Sequence, residues 1–165
     1  MPEELNPLAP EKQYDKIGGW LILIAIGLIL TPIKILIDVI EYILPAFTGE
    51  VWTVLTTPGT ELYHPLWAPL LIFSLIGNLF LIGFALTTSV FFFKKKKIVP
   101  KLMIIYLAAG LVFFFVDFFG SSLIPIIEEQ EDMSPTMDLV RSIVACLIWI
   151  PYFRMSKRVK GTFVN

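Results

Sequence analysis

The sequence predicts an all-α fold, a transmembrane bundle of four helices with both ends cytoplasmic (N-in/C-in). Three observations point there. Hydrophobic residues make up 56% of the 165 and charged residues only 16%, whereas a soluble domain holds about 45–50% apolar and about 25% charged residues. Four stretches are long and apolar enough to cross a bilayer, and lysine and arginine crowd onto alternate connections between them.

A spanning helix needs about 20 mostly apolar residues. The stretches Ile17–Leu44, Leu66–Phe93, Val99–Ile127 and Pro135–Phe153 meet that need. The first three exceed it, so they are expected to tilt, bend or project beyond the hydrocarbon. Pro32 removes a backbone donor midway along the first and predicts a bend there. The fourth has a shorter apolar core, Leu139–Phe153. Its start is marked by Ser134 as an N-cap and Pro135 at the first helical position. The resulting division is a polar N-terminal segment 1–16, a four-helix domain 17–153 and a basic tail 154–165. Residues 1–16 carry Glu3, Glu4, Glu11 and Asp15, unlike the basic start of a cleavable signal peptide. The first helix is therefore expected to remain as an uncleaved anchor.

Of the thirteen lysines and arginines, only Lys34 and Arg141 lie away from one side of this topology. Lys12 and Lys16 precede the first helix, Lys94, Lys95, Lys96, Lys97 and Lys101 join the second to the third, and Arg154, Lys157, Arg158 and Lys160 follow the fourth. Pro45–Pro65 and Glu128–Asp138 contain none. Cytoplasmic loops retain lysine and arginine, which sets both ends inside. Trp20, Trp149 and Tyr152 then fall near the inner interface, and Tyr42, Trp52 and Trp67 near the outer one, where amphipathic rings prefer to lie. Lys94, Lys95, Lys96, Lys97, Lys157, Arg158 and Lys160 are candidates to contact anionic lipid headgroups at the inner face. Ordinary topology-setting is the plainer reading of the same residues.

The remaining charges are costly. Lys34, Asp38 and Glu41 are four and seven residues apart and share one face of an ideal helix. All three lie in the outer half of the first span. Asp117 lies about 27 Å along the third, and Arg141 sits in the first two turns of the fourth. Five ionisable residues from three helices thus converge on one level of the membrane. A charge at the bilayer centre costs about 2.5–3.5 kcal/mol on insertion scales, so such groups turn inward and pair. Lys34 with Asp38, and Arg141 with Asp117, are the expected pairs. The outcome is either a closed ion-pair network that fixes helix register or a polar pocket open to the outer side. Ser74, Asn78 and Ser121 are candidate polar contacts for helix packing, beside the small residues Gly77, Ala85 and Gly110.

Several function classes lack support. Phosphate-binding loops, dinucleotide fingerprints, zinc-protease motifs and serine-hydrolase elbows are missing. His64 is the one histidine and Cys146 the one cysteine, so no metal, no cofactor and no catalytic residues are expected. The expected partner is the bilayer, with a second copy or another membrane protein as the other candidates, and no nucleic acid. The leading expectation is a non-enzymatic protein that binds a lipid, a small ligand or a membrane partner through the outward-facing polar cluster. The alternative is a small-solute or ion carrier acting as an oligomer, because four helices make a narrow bundle.

Three runs carry a resemblance: Ile17-Gly18-Gly19-Trp20-Leu21, the outer Tyr63-His64-Pro65-Leu66-Trp67, and Pro151-Tyr152-Phe153 with Ser156 to Val164. From Ile17 onward the chain resembles the YdgK-like family of small bacterial four-helix inner-membrane proteins, a domain of unknown function. The resemblance implies a bacterial inner membrane and carries over no catalytic residues. The tail Ser156–Val164 is basic and partly apolar. It is expected either to lie along the inner surface or dock near the lysine loop with Phe163 as an anchor, or to be an ordinary topogenic end.

Overall fold

A computed structural model describes residues 16–125 and 134–165, with the side chains of Ser134 and Pro135 outside that set. The acidic N-terminal segment and most of the Glu128–Asp138 connection lie outside the described residues. Among the described residues every regular element is helical: α1 (Trp20–Asp38), a π-helical turn (Val39–Ile43), α2 (Leu44–Ala46), α3 (Gly49–Thr56), α4 (Trp67–Phe93), α5 (Val99–Ser122), α6 (Ser134–Met155) and α7 (Lys157–Thr162).

Four segments are long and apolar enough to span a bilayer: Trp20–Ala46, Trp67–Phe93, Val99–Ser122 and Thr136–Met155. Only 11% of the most apolar window of each of the last three is buried inside the protein. Surfaces such as Ile76, Val112 and Leu147 point away from the bundle, which suits lipid and not water.

Local chemistry sets the boundaries. The first span starts at Trp20 and not at Ile17, because Gly19 takes a left-handed φ of 58° before the helix, a conformation that glycine adopts without steric cost. Pro32 is accommodated inside α1 on its buried face. The axis then passes through the π-turn and ends at Ala46. The connection 45–65 between the first two spans holds a short helix of its own, α3. Thr48 is its extended N-cap, Glu50 lies in its first turn, where a carboxylate suits the helix dipole, and Trp52 stacks on Phe47 at 5.2 Å. The α5 span closes at Ser122 with Leu123 as its cap, short of the expected Ile127. Ser134 is already helical.

The turn after α4 has a specific geometry. Lys95 N–H donates to Phe92 O at 3.0 Å and Lys96 N–H to Phe91 O at 3.1 Å, with Lys95 at φ 52°. This is a Schellman motif with lysine at the position where glycine is usual. Pro100 in the first turn of α5 then restarts the helix.

The spans pack in the order α1 on α4, α4 on α5, and α5 on α6, the last pair being the most extensive. The ring closes unevenly. One buried cluster unites Leu21, Ile24 and Leu28 of α1, Phe92 of α4, Val99 and Met103 of α5, Phe153 of α6, and Val159 and Phe163 of the tail. It lies at the end of the bundle that carries Lys94–Lys97, hereafter the basic end. Farther along, a second cluster joins Ile35, Val39, Leu81 and Phe113 of α1, the π-turn, α4 and α5. Helix α6 has no buried member in it.

Candidate functional site

Because α6 is missing from the second core cluster, a seam runs between α1 and α6, with α5 as its floor. Its walls are Leu23, Ile24, Gly27, Leu28 and Thr31 from α1, Met103, Tyr106 and Leu107 from α5, and Ala145 and Trp149 from α6. The space is about 150 Å³, the size of an engineered apolar cavity that takes up a benzene-sized molecule. At the basic end the seam is closed by Trp20 against Trp149, edge to face with ring centres 6.0 Å apart.

Its far end is closed by charge. Lys34 Nζ lies 2.5 Å from Asp38 Oδ2 on its own helix and 3.8 Å from Asp138 Oδ2 across the seam. Arg141 Nη1 donates to Asp138 Oδ1 at 3.0 Å. The order is Asp38, Lys34, Asp138, Arg141, so the signs alternate and the four groups balance. The cationic side chains remain more open, at 52% and 65% exposed, than the carboxylates, at 35% and 24%. A buried pair must outweigh its desolvation cost. Here the cations stay accessible along one edge, where a phosphate or carboxylate group can reach them.

The candidate residues have separate fates. Lys34, Asp38 and Arg141 come together. Glu41 does not join them and is exposed. It lies within the π-turn, whose i→i+5 winding removes the spacing of seven that aligned it with Lys34. Asp117 is not bridged to Arg141. Its carboxylate accepts from the Ser74 hydroxyl, tying α5 to α4. Asn78 and Ser121 bond to carbonyls of their own helices, Ser74 O at 2.8 Å and Phe118 O at 2.9 Å. Ser89, which was not singled out, reaches Leu28 O of α1 at 3.3 Å. Asp138 was missed as the hub of the charged group, although its i,i+3 spacing to Arg141 was visible in the sequence. His64 Nδ1 accepts the Leu66 N–H at 3.3 Å and helps turn the chain into α4. Among the described residues no group of three or more His, Cys, Asp or Glu could hold a metal.

At the basic end, Lys94, Lys96, Lys97, Lys157 and Lys160 are exposed. Residues 14–164 match the family described as protein of unknown function, DUF2569. The chain belongs to this family. Searches of curated proteins and of solved structures found no match.

In this DUF2569 chain the runs at the two ends of the sequence meet. Arg158 lies over the double glycine, so a Cβ built on Gly18 would come within 2.5 Å of its Nη2 and one on Gly19 within 3.0 Å of its Nη1. Ser156 caps α7, its hydroxyl accepting the Val159 N–H at 3.4 Å. Val159, Thr162 and Phe163 are buried, and Phe163 packs on Phe92 with ring centres 5.2 Å apart. Backbone bonds then join the tail to the lysine turn: Lys97 N–H donates to Asn165 O at 2.7 Å, and Asn165 N–H to Lys95 O at 3.2 Å.

Proposed function

We propose that this protein is a non-enzymatic, multi-pass membrane protein that holds a zwitterionic phospholipid at the α1–α6 seam. The phosphate would sit against Lys34 and Arg141 and the ammonium against Asp38 and Asp138. A segment of one acyl chain would enter the slot between Thr31 and Ala145. The observation that carries this reading is the alternating charge network set directly over an apolar slot, at the loosely packed junction of α1 and α6. Four balanced charges match a headgroup that itself bears both signs. The apolar walls match a chain that already lies in the membrane.

The proposal extends to location. The basic residues at the end that carries Lys16 and Asn165 support a cytoplasmic placement of both ends, with the seam opening toward the outer leaflet. The runs at Gly18–Trp20 and Ser156–Val164 support a YdgK-like member in a bacterial inner membrane.

The test is native mass spectrometry of the purified full chain, titrated with phosphatidylethanolamine. The wild type is expected to retain at least one lipid that survives detergent activation. The double variant Lys34→Gln, Arg141→Gln is expected to lose it while remaining folded by circular dichroism. Equal retention by both proteins would overturn the assignment. Solute flux in vesicles by an oligomer, unaffected by the double variant, would favour a carrier in its place.

A further inference from the structure

We infer a second lipid site, on the opposite face: the basic end is a built platform for anionic phospholipid headgroups. Two stretches far apart in sequence, 94–101 and 154–160, form it. The turn after α4 presents Lys94, Lys96 and Lys97, the start of α5 presents Lys101, and the end of α6 with α7 presents Arg154, Lys157 and Lys160, all of them exposed. Among the described residues no aspartate or glutamate lies in these segments or in residues 16–19 beside them. Within these segments the cations are therefore concentrated with no carboxylate side chain interleaved among them.

The arrangement differs from a loose basic tail because its parts are fastened. Helix α7 is amphipathic: Val159, Thr162 and Phe163 face the protein, while Lys157 and Lys160 face outward. Phe163 is anchored on Phe92. The Asn165 backbone bonds in both directions to the lysine turn, which itself adopts the left-handed Lys95 conformation. Each of these contacts fixes where the cations stand before a ligand arrives, so less ordering has to accompany binding. Charge complementarity names the occupant. A dense set of exposed cationic side chains at the end of a membrane bundle faces the headgroup layer, and basic pockets there take anionic headgroups. The site is independent of the zwitterion site at the far end, since none of its residues borders the seam's charged closure.

The experiment compares phosphatidylglycerol with phosphatidylcholine, each titrated onto the purified full chain and followed by native mass spectrometry. The wild type is expected to prefer phosphatidylglycerol by at least tenfold in apparent affinity, and the preference should shrink with added salt. The quadruple variant Lys96→Gln, Lys97→Gln, Lys157→Gln, Lys160→Gln, altered only at exposed positions, is expected to lose it. The far-end variant Lys34→Gln, Arg141→Gln is expected to keep it. Phe163→Ala leaves every charge in place but releases the tail, and a folded Phe163→Ala protein is expected to show at least a threefold weaker preference. If the quadruple variant retains the wild-type preference, the site is refuted. An absence of preference in the wild type also refutes it and leaves an acidic protein segment as the better occupant. A folded Phe163→Ala protein with the full preference would refute the fastened platform in favour of diffuse charge.

Discussion

At the basic end, Leu21, Phe92, Val99, Phe153, Val159 and Phe163 bring all four spans and the tail into one buried cluster, whereas at the far end α6 reaches α1 through the Lys34–Asp138 contact at 3.8 Å. Between these closures α1 and α6 enclose the slot over Tyr106 and Leu107. Two mechanisms thus shut the same seam. In lipid there is little hydrophobic drive to bring apolar helices together, so close packing does the work at the basic end. Close packing is all-or-none and resists opening. The ion-pair closure is made of long, partly exposed side chains that can exchange partners at small cost. A seam rigid at one end and exchangeable at the other suits a ligand that enters sideways from the bilayer.

Substitutions separate the two ends by size of effect. The largest is expected from Phe92→Ala, which opens a cavity where Phe92 meets Phe163. A loss of about 3–5 kcal/mol is expected, read as the unfolding midpoint in detergent titrations. Next comes Gly77→Ala. Its Cβ would lie 2.1 Å from the Phe113 ring, and overpacking there should cost about 1–3 kcal/mol, with α4 and α5 pushed apart. Gly19→Ala, at φ 58°, should cost about 1–2 kcal/mol from the left-handed backbone. Ser74→Ala removes the hydroxyl that bonds Asp117 across α4 and α5, worth about 0.6–1.7 kcal/mol in a membrane bundle. Asp138→Asn is expected to be the smallest, at most about 1 kcal/mol, yet it should weaken lipid retention at the seam more than any of the others. If Asp138→Asn destabilised the fold as strongly as Phe92→Ala, the two ends would not differ in kind.

Much of this architecture was legible in the residues. Length and apolarity alone mark the four spans, because a bilayer demands about 20 apolar residues for each crossing. That Lys34, Asp38 and Arg141 share one level of the bundle followed from their positions within the spans. Partner choice did not follow. The π-turn that sets Glu41 apart has no glycine or proline within it to announce it. The Schellman turn uses Lys95 in place of the glycine that would have marked it. Asp117 took Ser74 instead of Arg141 because α5 packs on α4 as well as on α6, and helix order around the bundle is a tertiary fact. The meeting of Gly18–Gly19 with Arg158 is of the same kind. Both runs were visible as motifs, but only the fold puts a guanidinium over the one stretch of backbone with no side chains to exclude it.

The contrast between the two ends is tested most directly by spin-label distances across the seam. With Cys146 replaced by serine, one label pair would be placed at Ile22 and Met155 near the basic end and another at Ile37 and Met137 near the far end, all four being exposed positions. The basic-end distance should be narrow and unchanged whether or not lipid is present. The far-end distance should be broad in delipidated protein and should narrow when phosphatidylethanolamine is returned. Equal widths at both ends, or a far end indifferent to lipid, would contradict a seam that is fixed at one end and opens at the other.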